Sequence, residues 1–418
     1  MVLRFFRRIA LTSIPVLTLA LHACDGSGSD GTTATATDAG RELLESGTSD
    51  IGRNRSEGAS DAGPYADAAD ADLGSPAVHF IGRFETTPDA GLKVGFPHAQ
   101  IIARFMGPEV SATFADERAY TDYGSTRWEV LVDGVSRTVL SINRAQTSYT
   151  LAQRLGPGPH SVELVKLTEA SIGISQFMGF EFPGGELLPP PPAATRHIEF
   201  LGDSASNGYG VDGVAPCAAS GATANARRAY PALVAADLGA DHHNLGASSK
   251  GLFWNYFRPD LEVYSVLYPR ILPFTAGTWD FTHYSPDVVW MTLGGNDYSR
   301  PNEGDPAPPF AAFEAKYDEL VTIIRTRRPD AHIICAVAPS LTDEYPAGYD
   351  AYTSVKTATT NVVAAHAGAG DDKIYAFEFT RSVPAVDLTA CDGHPNAAKH
   401  RKMADEAIVF IKGKTGWL

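Results

Sequence analysis

Cysteine is scarce: the 418 residues include four, none in a C-x-x-C pair. That is too few for a disulfide-built scaffold, and the paired spacing of a structural zinc site is missing. Basic residues are also in deficit. Lys and Arg number 34 against 49 Asp and Glu, a formal charge of -15, so a nucleic-acid partner is excluded. No internal repeat is visible. The apolar stretch at residues 9–21 falls short of the roughly 20 residues that a spanning helix needs. Core-forming material is nevertheless ample. Hydrophobic residues make up 44% and aromatics 10%, which excludes wholesale disorder, and the length points to two domains with a tail.

Arg4, Arg7 and Arg8 precede the apolar stretch, and His22-Ala23-Cys24 follows it. A basic start, a short apolar segment and a small residue before the cut describe a secretory signal over residues 1–23. Leu21-His22-Ala23-Cys24 also resembles a bacterial lipobox, in which Cys24 is lipidated and becomes the mature N-terminus. The expectation is export with lipid anchoring to the bacterial cell envelope, the membrane being met only through that anchor; simple secretion is the alternative. Residues 24–75 are rich in Gly, Ser, Thr, Ala and Asp and poor in large apolar side chains, so they read as a disordered linker. They carry eleven acidic residues and three basic ones, a net of -8. About half of the chain's excess charge thus lies in a self-repelling tether, and the acidity says little about a site.

Residues 76–188 read as strands. "AVHFIGRFETT", "AQIIARFMG", "VSATFAD", "RWEVLVDGV", "RTVLSIN", "SYTLAQRL" and "HSVELVKLTEA" are short runs, several alternating apolar and polar residues. Turn residues such as Asp133-Gly134 and Gly156-Pro157-Gly158 separate them, and no amphipathic helix intervenes. A β-sandwich of jelly-roll type is the expected fold. Pro189 to Pro192 is a stiff run without amide donors, read with residues 189–195 as a hinge.

Across residues 196–418 the rhythm changes. "HIEFLGD", "DHHNLGA", "DVVWMTLGG", "AHIICAVAPS" and "KIYAFEF" are apolar strands interleaved with the helical stretches "RRAYPALVAADLG", "FAAFEAKYDELVTIIRTRR", "YTSVKTATTNVVAAHAG" and "NAAKHRKMADEAIVFIKG". Such alternation predicts a three-layer α/β domain with a parallel sheet covered on both faces and its site at the strand C-termini.

Three motifs sit at those ends. Gly202-Asp203-Ser204 follows one strand and precedes Gly208-Tyr209-Gly210, so a serine hydroxyl is presented on a sharp turn. Gly294-Gly295-Asn296-Asp297 follows another, where an asparagine amide can face a developing oxyanion. Cys391-Asp392-Gly393-His394-Pro395-Asn396 stands before the last helix and offers a general base.

With Gly251 in "SSKGL", these blocks resemble the SGNH, or GDSL-type, hydrolases. The strand-rich half, "GGELLPPPP" running into "IEFLGDS", "SSKGLFWNY" and "CDGHPN" are similar to carbohydrate esterase family 2 over residues 77–418. The resemblance implies an acetylxylan esterase-like enzyme that removes acetyl groups from plant polysaccharides such as xylan, mannan and glucomannan, often at a sugar's 6-position. It requires no metal or cofactor. Its partner would be an acetylated polysaccharide or oligosaccharide, and a monomer is expected.

Residue by residue, the resemblance makes Ser204 the nucleophile and His394 the base. The amides of Ser204 and Gly251 and the side chain of Asn296 become the oxyanion hole. Asp392 is the candidate third member, although Asp392-Gly393-His394 is one residue shorter than the Asp-x-x-His of most SGNH enzymes, and some family members use a backbone carbonyl instead. Gly393 stands where many members carry an aromatic. Trp254, Tyr298 and Asp297 are therefore expected at the substrate, with Tyr256 and Trp279 as further candidates. Glu169 is expected to buttress the domain interface. Lys250 reads as a solvated loop lysine, His242 and His243 as a surface pair rather than metal ligands, and Cys335 as a buried thiol. Export permits oxidation, and a Cys217–Cys391 disulfide beside the site is one open pairing, since sequence does not fix connectivity. A short-chain lipid or ester hydrolase and a non-catalytic carbohydrate-binding surface protein are the alternative functions.

Overall fold

The computed structural model describes residues 78–418 apart from 89–90, 118–122, 258–261 and 300–304. The expected signal segment, the tether and Cys24 lie outside the described residues. The described residues belong to one compact unit.

Its first half contains β1 (Val78–Ile81), β2 (Glu85–Thr86), β3 (Leu92–Val94), β4 (Gln100–Met106), β5 (Val110–Glu117), β6 (Arg127–Val132), β7 (Val135–Ser141), β8 (Ser148–Ala152), β9 (Pro159–Lys166), β10 (Ile174–Glu181) and β11 (Glu186–Leu188). One sheet runs β1-β4-β9-β6-β7, with β11 also paired to β4; the other runs β2-β3-β10-β5-β8. From β3 to β10 successive strands switch sheets except at the β6–β7 hairpin, as jelly-roll connections do. The pleat explains the burial. Ile101, Ala103 and Phe105 of β4 point inward at every second position and meet Phe114, Trp128, Val130 and Leu164. Trp128 Nε1, buried among them, donates to Ser175 Oγ at 3.2 Å. β10 is central in its sheet, yet its sequence gave no clear strand signal. A register shift between Phe177 and Gly179 breaks its alternation.

The second half is a parallel sheet of β12 (His197–Gly202), β13 (Asp241–Asn244), β14 (Val288–Thr292), β15 (His332–Val337) and β16 (Ile374–Glu378), ordered β13-β12-β14-β15-β16. It is wrapped by α1 (Tyr230–Leu238), α2 (Tyr264–Leu267), α3 (Phe310–Arg327), α4 (Ala351–Gly368), α5 (Pro384–Asp387) and α6 (Ala397–Thr415). All five residues of β14 are buried, as a strand covered on both faces requires. Val289 and Met291 pack with Tyr317, Leu320 and Val355 of α3 and α4. Val288 and Trp290 pack with Tyr230, Met403 and Ala407 of α1 and α6. The α6 N-terminus is set by Asn396, whose side chain accepts the Lys399 amide at 2.9 Å.

The two halves share buried polar contacts, so the proline segment is a connector and not a free joint. Arg83 of the jelly roll is 0% exposed. It donates to the carbonyls of Tyr268 (2.6 Å) and Arg270 (2.7 Å) and to Glu199 Oε1 (3.1 Å). Arg328 reaches the same Glu199 oxygen at 3.2 Å, and the Tyr268 hydroxyl donates to Oε2 at 2.8 Å. Burial alone would raise the Glu199 carboxyl, but the two guanidinium charges and the hydroxyl prevail and hold it below its ordinary value. His242 and His243 are not a surface pair. They lie in β13, buried at this seam, with His242 against His98 (ring centroids 4.6 Å) and His243 stacked on Tyr284 (3.6 Å). Burial lowers the His242 pKa to about 3, so its imidazole stays neutral.

Glu199→Ala would leave two buried guanidinium groups without their carboxylate. A loss of about 3–5 kcal/mol in unfolding free energy is expected by urea titration. A loss below about 1 kcal/mol would show that the two guanidinium groups do not depend on this carboxylate.

Candidate active site

β12 ends at Gly202, where a Cβ would lie 1.9 Å from Ser206 Oγ, so only glycine lets the chain turn this closely. Ser204 follows after Asp203. Its carbonyl accepts the amides of Asn207 and Tyr209, both at 3.2 Å, and Ser206 N donates to the Asp203 carbonyl at 3.0 Å. Behind the turn, Ser206 Oγ, Tyr230 OH and Thr292 Oγ1 form a buried chain, with contacts of 3.2 and 3.1 Å. The Tyr264 hydroxyl donates to the Gly202 carbonyl. The Ser204 amide itself makes no hydrogen bond among the described residues.

His394 stands after a single turn, Cys391–Gly393, and just before the Asn396 cap of α6. Its Nε2 lies 2.8 Å from Ser204 Oγ. Residues 190 positions apart in sequence are thus in hydrogen-bond contact. Burial lowers the imidazole pKa below its ordinary 6.5, partly opposed by the carbonyls of Cys391 and Asp392 and by the Asp392 charge. Nδ1 is buried and makes no hydrogen bond among the described residues.

Asp392 does not orient this ring through a side-chain hydrogen bond. Its backbone is left-handed (φ 53), and its Oδ2 accepts from Ala219 N at 2.9 Å and Tyr209 OH at 3.4 Å. The shortened spacing turns the carboxylate toward the 211–223 loop instead of toward Nδ1. Tyr209, which the sequence offered only as a residue between two glycines, lies against the imidazole with ring centroids 4.5 Å apart.

The loop after β13 departs from expectation at Gly251. Its amide donates to Asn255 Oδ1 at 2.9 Å and is therefore committed. Glycine is required there for packing: a Cβ would meet the Trp254 carbonyl at 2.0 Å and Asp297 Oδ2 at 2.6 Å. Lys250 N donates to the Ala247 carbonyl at 3.4 Å and Ser248 N to Glu169 Oε2 at 2.8 Å. Ser249, held left-handed at φ 66, is the residue of this loop whose amide makes no hydrogen bond among the described residues. Asn296 Nδ2 donates to the Lys250 carbonyl at 2.9 Å, which places that carboxamide beside the same loop.

Several substrate candidates turn out to be structural. Asp297 is fully buried and accepts the amides of Leu252 (3.0 Å), Phe253 (2.6 Å) and Trp254 (2.9 Å); burial raises its pKa to about 6. Tyr298, 2% exposed, packs on Phe313 in the core. Trp279 lies under Arg83 at 5.3 Å. Trp254 and Tyr256 are half-buried and pack on Phe253 and Phe257. Lys250 is 3% exposed, with Nζ 3.3 Å from Glu262 and above the Phe274 ring. Cys335 is a buried thiol in β15, its pKa raised by burial to about 12, and Cys217 and Cys391 are joined as a disulfide.

Glu169 comes from the jelly roll and ends inside the α/β half. It accepts from Asn207 Nδ2 (3.0 Å), from Ser248 N (2.8 Å) and from the Ser248 hydroxyl. One carboxylate thereby ties the turn after Ser204 to the loop that carries Ser249. Burial raises its pKa, against the pull of the Ser248 hydrogen bonds.

A serine on a strand-end turn, touched by an imidazole and with its own amide uncommitted, is the constellation of a nucleophilic hydrolase. A family model described as GDSL-like Lipase/Acylhydrolase family matches residues 200–402, and one described as Carbohydrate esterase 2 N-terminal matches residues 80–192. A solved family two carbohydrate esterase from Clostridium thermocellum, in complex with cellohexaose, is 31% identical with a TM-score of 0.74, covering 82% of this chain and 100% of that one. The chain belongs to carbohydrate esterase family 2. Cellulase/esterase CelE of Acetivibrio thermocellus is 32% identical over 353 residues, which are 84% of this chain but 41% of that protein, so this chain spans less than half of the relative's length. An acetylxylan esterase / glucomannan deacetylase of Cellvibrio japonicus is 25% identical over 353 residues, 81% of this chain and 91% of that one.

Because burial keeps the base neutral to lower pH, kcat/KM should rise with pH along an acidic limb whose midpoint lies below the ordinary histidine value of 6.5. A pH–rate profile on an aryl acetate measures it; a limb centred above 7 would contradict the burial argument. Glu169→Ala removes the shared acceptor of Asn207 and Ser248. It should lower kcat by about 10- to 100-fold through misplacement of the site loops. Wild-type kcat in that variant would reduce Glu169 to an interface contact.

Proposed function

We propose that the protein is a serine esterase that removes O-acetyl groups from plant polysaccharides or oligosaccharides, with acetylated xylan, mannan and glucomannan as the substrate class and the sugar 6-position as a favoured site. The observation that carries this reading is the 2.8 Å contact between Ser204 Oγ and His394 Nε2. The names of the esterase and deacetylase relatives support the ester class and the carbohydrate leaving group.

In this mechanism the Ser204 oxygen attacks the acetyl carbonyl while His394 Nε2 takes its proton. The tetrahedral oxyanion is held by the amides of Ser204 and Ser249 and by Asn296 Nδ2. Ser249 replaces Gly251 in this role because the Gly251 amide is committed to Asn255. Each such donor supplies about 3 kcal/mol of transition-state stabilisation. His394 then protonates the departing sugar oxygen, and water, deprotonated by the same imidazole, releases acetate from the acetyl-enzyme. The working enzyme is an exported monomer, held at the cell envelope by lipid on Cys24, with the acidic segment as its tether.

Ser204→Ala should abolish hydrolysis of aryl acetates while the protein stays folded by circular dichroism. Activity surviving that change would refute the assigned nucleophile. Acyl chains from C2 to C8 should show a sharp preference for C2. A broad profile would favour a short-chain ester hydrolase, and glycan retention without turnover would favour a binding protein.

A further inference from the structure

The imidazole of His394 has no side-chain partner at Nδ1, and the groups that favour its protonation are the carbonyls of Cys391 and Asp392, so its register against Ser204 depends on how that backbone segment is held. The segment before it is held from the opposite side. Cys391, 0% exposed, is bonded to Cys217, and the two cysteines are 174 positions apart. Hydrogen bonds flank the bridge: Ala215 N to the Thr389 carbonyl (2.9 Å), Asp392 N to the Cys217 carbonyl (2.9 Å) and Ala219 N to Asp392 Oδ2 (2.9 Å). Cys391 N reaches the Gly210 carbonyl at 3.3 Å, next to Tyr209, whose ring lies on the imidazole. The 211–223 loop that carries Cys217 contains no helix or strand of its own.

We propose that the Cys217–Cys391 disulfide, with Asp392 and Tyr209 as its auxiliaries, is the positioning device of the catalytic histidine, and that its reduction turns the esterase down. The inference rests on the esterase reading above. Cys217 is half-buried, so a small dithiol can reach it. The step consumes one dithiol: the S–S bond breaks, two electrons and two protons convert the cystine to two thiols, and the dithiol closes to its own disulfide. The chemistry at Ser204 is unchanged; the imidazole loses its register.

The test uses the full chain and an aryl acetate. Oxidised protein is compared with protein reduced by dithiothreitol, with the thiols counted by mass spectrometry and kcat and KM measured separately. Reduction should lower kcat at least about tenfold with KM changed less than about twofold, as expected when a group acting in the transition state is displaced. Reoxidation should restore kcat. Cys217→Ala should start at the low kcat and be insensitive to dithiothreitol. Should reduction also unfold the chain, Asp392→Ala carries the test with the disulfide intact: a fall in kcat at constant KM supports the proposal, and wild-type kcat overturns it. A folded, fully reduced enzyme with undiminished kcat likewise overturns it. An oxidised wild type that hydrolyses no acetate sinks the esterase reading instead, so the two failures are distinguishable.

Discussion

A parallel sheet covered by helices on both faces leaves only its strand ends for chemistry, and that constraint organises this molecule. β12 delivers Ser204, β13 delivers the Ser248–Gly251 loop, β14 delivers Asn296, and the segment after β16 delivers His394. Nothing local links these residues. They meet because five strands run in one direction with the order β13-β12-β14-β15-β16, which places the nucleophile strand between two of its helpers. Tight burial behind the turn, through Ser206, Tyr230 and Thr292, keeps the serine where the imidazole can reach it.

The jelly roll is part of the same machine. Arg83 fixes it to the α/β half through Glu199, and Glu169 passes through the seam to hold two site loops with one carboxylate. Buried charges of this kind contribute little net stability when compared with apolar packing, but they are costly to break and they specify one arrangement. The arrangement specified here is the one that presents the Ser204 turn and the Ser249 loop to the same point. A domain that would otherwise be an accessory thus becomes a determinant of active-site geometry.

Much of this was legible in the sequence. Apolar runs followed by helical stretches located the five parallel strands and the long helices, because buried parallel strands and amphipathic helices have distinct periodicities. The Ser204 and His394 motifs were legible because each sits at a strand end or before a helix, bounded by glycines or proline. What stayed hidden was side-chain direction. Asp392 has the right type and position for an orienting acid, yet its left-handed backbone sends the carboxylate to Ala219. Asp297 and Tyr298 follow Asn296 directly, but one caps three loop amides and the other enters the core. Gly251 matched a motif by identity while its amide was already spent on Asn255, four residues on. Lys250, His242 and His243 were read as solvated because isolated polar residues usually are; Lys250 is instead buried against Glu262 and Phe274, and the seam between the halves, which sequence does not display, buries the two histidines. β10 was lost to a bulge.

The central claim is that Ser204 carries the acetyl group between attack and release. The most direct measurement is rapid acid quenching during turnover of an acetyl ester, followed by proteolysis and mass spectrometry of the peptide that contains residue 204. The account predicts one acetyl group on Ser204 and none elsewhere. Continued hydrolysis with no covalent adduct, or with the acetyl group on a different residue, would contradict it.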